Sequence, residues 1–202
     1  MITRVFLLVC CVCLSACVPS KPMTSPTSSL GSAERKVWLN SLKAWEVSGR
    51  FAVTKQDEGT SGSFEWSQLS KENYQIHFYG PFGAGNTHLT AYFHHIIWED
   101  NSGQTVALTP EELFYNKTGF FFPVSFLQDW ILGRPAPIVT FGKVYDPQWD
   151  QQSRLVSFVQ AGWRINYLAY TPVEQGELPS KMELTHNDIK LKLIMNSWVL
   201  KK

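Results

Sequence analysis

Few side chains in this 202-residue sequence could do covalent or metal chemistry, and most are poorly spaced for it. The four thiols, Cys10, Cys11, Cys13 and Cys17, all lie at the very beginning. Nothing after Cys17 can form a disulfide or act as a thiolate. His94 and His95 are sequence neighbours. Neighbours on a strand point to opposite faces, so they cannot ligate one ion together. His77, His88 and His186 follow no recognised zinc-ligand spacing. The paired carboxylates Glu111 and Glu112 follow Thr109-Pro110. That is a helix start, where acidic side chains meet the positive end of the helix dipole. No Gly-x-Ser-x-Gly elbow, phosphate-cradling Gly-rich loop or Walker lysine occurs. With no acid, base and nucleophile set to name, neither an enzyme nor a cofactor is expected.

The one thiol with a clear use is Cys17. Met1 to Arg4 is a short positive segment and Val5 to Val12 an apolar one, too short to span a bilayer as a stable helix. Leu14-Ser15-Ala16-Cys17 follows and resembles a lipobox, the cleavage and acylation signal of bacterial lipoproteins. The resemblance implies cleavage before Cys17, diacylglycerol on its sulfur and a further acyl chain on its new amine. The same small residues also satisfy an ordinary export signal. One acyl chain binds a membrane only marginally, at about 0.8 kcal/mol per buried methylene, but three make an effectively permanent anchor. Val18, rather than Asp, follows the cysteine. In such lipoproteins that implies the outer membrane, with the domain facing the periplasm. In such a protein the glycosylation triplet Asn116-Lys117-Thr118 is accidental.

What must position any further site is a single domain. The organisation expected is a signal peptide over 1–16, a lipidated flexible tether over 17–32 and one folded domain over 33–202. The tether is rich in Pro, Ser and Thr. The domain's composition is globular, with 44% hydrophobic and only 17% charged residues, enough to bury a core. Apart from Arg4 in the leader, cations and acids balance, so no nucleic-acid-binding face is expected. A monomer is expected. Ala33 to Trp45 reads as a helix capped by Ser32, with Trp38, Leu42 and Trp45 in one stripe. The period then becomes two. Alternating runs lie at 47–53, 63–67, 74–79, 88–93, 96–98 and 104–108, then at 154–160, 163–170, 181–185 and 189–199. This is an antiparallel meander of roughly ten strands. Two short helices interrupt it: one capped at Thr109, one at 126–132 capped by Ser125 with Gln128. A curved sheet buries its apolar face by closing or by taking a helical cover. The fold class expected is therefore mainly β with a helical lid.

These residues carry a family resemblance. Asp129-Trp130-Ile131-Leu132-Gly133, Met182-Glu183-Leu184-Thr185, Ile189-Lys190-Leu191-Lys192 and Asn196-Ser197-Trp198-Val199, in that order, resemble the LolB family. Ser48-Gly49-Arg50-Phe51-Ala52 and Pro81-Phe82-Gly83 fit as well. The resemblance spans about Trp38 to Lys201, together with the lipobox. It implies an unclosed antiparallel barrel of about eleven strands, LolA/LolB-like, with a hydrophobic cavity that accepts acyl chains. It implies as partners a soluble, LolA-like periplasmic carrier, cargo lipoproteins and outer-membrane lipid. The implied task is to accept lipoproteins from the carrier and insert them into the outer membrane.

The apolar rows supply the candidate cavity walls: Phe51, Val53, Phe64, Trp66, Ile76, Phe78, Leu89, Phe93 and Leu193, with Trp130 and Ile131 facing inward from the lid. Periodicity cannot separate a cavity wall from a filled core. Phe82 lies in Gly80-Pro81-Phe82-Gly83-Ala84-Gly85, where it alone is large and apolar. LolB-like proteins carry an exposed hydrophobe, commonly Leu, on this loop, so the resemblance assigns Phe82 to membrane insertion. Two other readings stay open: a lipocalin-like binder of a small apolar ligand, and a purely structural envelope lipoprotein. Lys190, Lys192, Lys201 and Lys202 read most simply as a solvated face and tail.

Overall fold

The structure, a computed structural model, describes residues 31–56, 58–80, 85–93, 95–119 and 122–201. Cys17 and Phe82 therefore lie outside the described residues, as do the leader and most of the tether.

Alternation along the chain becomes one antiparallel sheet. Its strands are β1 (Ala44–Lys55), β2 (Glu58–Gln68), β3 (Asn73–Gly80), β4 (Gly85–Tyr92), β5 (His95–Asp100) and β6 (Gly103–Ala107). After a helical segment come β7 (Val144–Trp149), β8 (Leu155–Gln160), β9 (Trp163–Val173), β10 (Gly176–His186) and β11 (Ile189–Lys201). The spatial order is β6-β5-β4-β3-β2-β1-β11-β10-β9-β8-β7. Each strand pairs with its sequence neighbour, except where β1 meets β11. The sheet is not closed, and its two edges are β6 and β7. The eleven strands agree with the family resemblance rather than with the ten counted from periodicity. The missed strand is β7, whose Pro147 and lack of any buried residue erase the alternating signal.

The pairing of β1 with β11 contains a bulge between Ser48 and Gly49. A Cβ at Gly49 would overlap the Ile194 carbonyl and touch the Phe64 ring. Glycine is what lets the two strands approach there.

Four helices are described: α1 (Ser32–Ser41), α2 (Pro110–Thr118), α3 (Val124–Trp130) and α4 (Ile138–Phe141). α1 is shorter than expected. The chain turns extended at Leu42, and Trp45 is buried from β1 instead. α2 begins as its sequence requires: the Thr109 hydroxyl accepts the Glu112 N–H at 3.2 Å, and left-handed Gly119 ends the helix. The expected Ser125 cap is corrected. α3 starts at Val124, so Ser125 is inside its first turn, where its N–H and hydroxyl donate to Glu111 at 2.7 and 3.1 Å. A carboxylate from α2 thus does the capping, which no local spacing could reveal. The segment carrying α2, α3 and α4 connects the β6 edge to the β7 edge and lays the lid against the inner face of the sheet.

Candidate functional site

The inward row of each central strand meets the lid. Phe51, Phe64, Trp66, Ile76, Phe78 and Leu193 come from β1, β2, β3 and β11, and all are buried. Phe114 from α2, Phe122, Val124 and Leu127 close over them, together with Ile131 just after α3. These eleven side chains line an apolar void of about 30 Å³. That is room for about one water molecule and far less than an acyl chain occupies.

Aromatic edges hold α2 down. Phe114 lies edge-on to Phe78, centroids 5.9 Å apart, and to Trp98 at 5.3 Å, while stacking on Phe122 at 4.9 Å. Phe51 meets Phe78 edge-on at 5.8 Å. Such pairs add to the burial of the rings themselves. Polar links of α2 lie at its ends, Lys117 to Asp100 at 3.2 Å and Glu111 to Ser125, so an apolar ligand could replace the ring contacts between them.

The far end of α3 is secured differently. The Trp130 indole donates to Gln160 Oε1 at 2.9 Å, and the Tyr167 hydroxyl donates to the Trp130 carbonyl at 2.6 Å. Gln160 Oε1 also accepts the Ala136 N–H, while its amide donates to the Ala136 and Gly142 carbonyls. The amide group is thus completely satisfied although fully buried. Asp129 accepts from Arg134 Nε at 2.8 Å and faces Lys71 at 3.6 Å; Arg134 in turn donates to the Leu39 carbonyl. Burial pushes the Tyr167 hydroxyl well above its ordinary pKa, so it stays a donor. Burial also raises Tyr74, which packs beside Gln128 and Glu111. The lid is thus apolar at α2 and hydrogen-bonded at the end of α3.

The structure brings most of the expected wall residues together. Phe51, Phe64, Trp66, Ile76, Phe78, Ile131 and Leu193 line the void. Val53, Leu89 and Trp130 are buried but face neighbouring parts of the core. Phe93 is a correction. It falls beyond the end of β4, at a tight turn with φ 52°, and points to solvent. The alternation that placed it inward stops one residue earlier. Phe114, Val124 and Leu127 were missed because they belong to short helices, and Phe122 because it lies in the connection just before α3. Leu113-Phe114 next to Glu111-Glu112 was the available signal, an apolar pair one turn after a cap.

On the outer face lies a larger polar hollow of about 610 Å³, lined by Glu46, Glu65, His77, His88 and Glu99 among others. Register places Glu65, His77, His88 and Glu99 in one row across β2, β3, β4 and β5. The two imidazoles stack with centroids 3.8 Å apart. Among the described residues no group of three His, Cys, Asp or Glu is arranged to hold a metal.

Known proteins are similar to this chain in sequence or in fold. The family described as "Outer membrane lipoprotein LolB" matches residues 43–198. The outer-membrane lipoprotein LolB of Halorhodospira halophila is 35% identical over 158 residues, covering 78% of this chain and 76% of that protein. The Nitrosococcus oceani protein of the same name is 31% identical, covering 94% and 93%. Among solved structures, a putative outer membrane lipoprotein-sorting protein domain from Vibrio parahaemolyticus aligns with TM-score 0.56 at 8% identity, covering 85% of this chain and 91% of that one. A LolA superfamily protein from Nitrosomonas europaea aligns with TM-score 0.51 at 9% identity, covering 80% and 88%, a likeness of fold alone. An unclosed eleven-stranded sheet under a helical lid, carrying these sequence matches over most of its length, belongs to the LolB family of outer membrane lipoproteins.

Proposed function

We propose that this protein accepts acylated proteins from a soluble, LolA-like periplasmic carrier, holds their acyl chains between sheet and lid, and passes them to the outer membrane. The observation that carries this reading is the interior itself: an all-apolar lining formed jointly by the sheet and a helical cover that is held at α2 by ring contacts.

The space between sheet and lid is nearly full, so acyl chains enter only as α2 lifts. That exchange is energetically reasonable. Each lid side chain loses about 1.5–3 kcal/mol if exposed to water, but repacking it on hydrocarbon avoids that loss. Each methylene withdrawn from water contributes about 0.8 kcal/mol. Direction comes from differential affinity alone: the cargo binds this interior better than the carrier's, and the bilayer better still. Cys17 is the proposed lipid attachment point and Phe82 the proposed membrane-entering residue.

One observation favours a second reading. A void of about 30 Å³ is also what a purely structural envelope lipoprotein with a filled core has. The decisive experiment mixes this protein with a carrier loaded with a labelled lipoprotein. Stoichiometric movement of the label onto this protein supports the receptor reading. No movement between two folded proteins supports the structural one, whereas uptake of free fatty acid alone points to a small-ligand binder.

A further inference from the structure

Register divides the turns of the sheet between two opposite rims. β3 ends and β4 begins at one rim, with Phe82 between them in the sequence. The 69–72 turn and the β4–β5 turn lie at the other. At this second rim four large apolar side chains are exposed: Leu69 (59%), Tyr92 (60%), Phe93 (59%) and Leu108 (77%). They are neighbours through the backbone. The Leu69 N–H donates to the Asn73 carbonyl, Asn73 pairs with Tyr92, and the Phe93 N–H donates to Asn73 Oδ1 at 3.3 Å. Leu108 directly follows Ala107, the partner of Ile96. Tyr92 and Phe93 lie edge-to-face, centroids 4.7 Å apart.

Phe93 is also strained. It holds φ 52°, a conformation suited to Gly or Asn and unusual for a bulky side chain. Its ring contact with Tyr92 is itself solvent-exposed, so little burial offsets that strain. A strained, exposed aromatic beside three more exposed hydrophobes marks a contact surface rather than a folding requirement.

The position of α1 indicates what covers it. Trp38 of α1 packs on Gly176 at the β9–β10 turn, and Arg35 donates to the Glu177 carbonyl at 2.9 Å. Gly176 begins β10 at the same rim as the Leu69 and Phe93 turns. The chain thus leaves toward the proposed anchor from the rim that carries the apolar patch. Tyr, Phe and Leu are suited to a membrane interface.

We propose that Leu69, Tyr92, Phe93 and Leu108 form a second lipid-contact surface, which rests the domain on the bilayer holding its own anchor. The proposal rests on the lipid-anchor reading of Cys17. It is compatible with a separate role for the opposite rim. The rims are about 26 Å apart along the eight residues of β3. The fourteen residues from Cys17 to Leu30 extend to at most about 50 Å. The domain can therefore turn either rim to the membrane.

The test uses the mature, acylated full chain in vesicles of phosphatidylethanolamine and phosphatidylglycerol. The photoreactive residue p-benzoylphenylalanine replaces Phe93 in one preparation, Leu108 in a second, and Lys192, exposed on the outer face of β11, in a third. Flotation with the vesicles reads the anchor, and phospholipid adducts read the rim. The expected result is several-fold more lipid adduct at positions 93 and 108 than at 192. Phe93→Asn, placed in the chain with the Leu108 probe, should lower adduct yield several-fold without lowering the melting temperature, since Asn tolerates this backbone. Chains that float but give no excess at 93 and 108 overturn the rim while leaving the anchor intact. Adducts to protein instead of lipid also overturn it. A chain that does not float removes both the anchor and the rim.

Discussion

The Trp130 indole and the Gln160 carboxamide, thirty residues apart, form a 2.9 Å hydrogen bond with both side chains fully buried. This contact anchors the end of α3 to the β8–β9 hairpin, while α2 is held by ring contacts and by two polar links at its ends, Lys117 to Asp100 and Glu111 to Ser125. Opening at α2 can therefore leave the Trp130 end of α3 attached.

If so, Gln160→Leu should be far more damaging than its size suggests. It strands the Trp130 and Ala136 N–H groups and the Ala136 and Gly142 carbonyls. At about 1–3 kcal/mol per unsatisfied buried group, the loss should be roughly 3 kcal/mol or more, read by urea unfolding. A loss below about 1 kcal/mol would mean the network is dispensable.

Phe114→Ala addresses the other end of the lid. Removing this ring should cost about 3–5 kcal/mol of stability. It should also loosen α2 and speed uptake of a fluorescent fatty acid. The stability loss follows from packing in any reading, so the uptake rate is the informative quantity. Slower or unchanged uptake, measured by stopped flow on the folded variant, argues against entry beneath α2.

Phe82→Glu should leave acceptance of cargo from the carrier intact and block its release into vesicles. A charged side chain cannot enter hydrocarbon cheaply. The two steps are assayed separately, acceptance by co-purification and release by flotation. Release at the original rate would remove Phe82 from the mechanism.

The outer-face histidines predict a pH dependence. Burial, and then its neighbour His88, lower the His77 pKa, while Glu65 on β2 opposes this. Tyr79, on the same strand, and Glu99, beyond His88, complete the surrounding groups. With the folded value below the ordinary 6.5, the unfolded chain binds more protons than the folded one just below that pH. Stability should therefore fall as pH drops through about 6.5 and level off below the folded value. Carboxylates also titrate on the acid side, so the comparison is with His77→Gln. The variant should lose less melting temperature between pH 7.5 and 5.5 than the parent. Equal losses would assign the effect elsewhere.

Much of this was legible residue by residue. Period-two alternation identified Phe51, Phe64, Trp66, Ile76 and Phe78 as inward, because a strand's two faces alternate whatever lies beyond them. Thr109-Pro110 announced α2, because capping is satisfied within four residues. The order of short motifs pointed to the family and to an eleventh strand that β7 itself does not announce. The family match and the eleven-stranded sheet bear out both.

What the sequence by itself determined was the sided sheet, its helical interruption, its family and its candidate export signal. Tertiary structure alone decided that Phe114, Phe122 and Leu127 complete the interior, that Glu111 caps α3, that Gln160 secures Trp130, and that Phe93 faces outward. It also decided that the interior is nearly full when the lid is down. The reason is range: alternation and capping are satisfied within a few residues of chain, whereas a void's volume and a buried amide's partners depend on segments that only folding brings together.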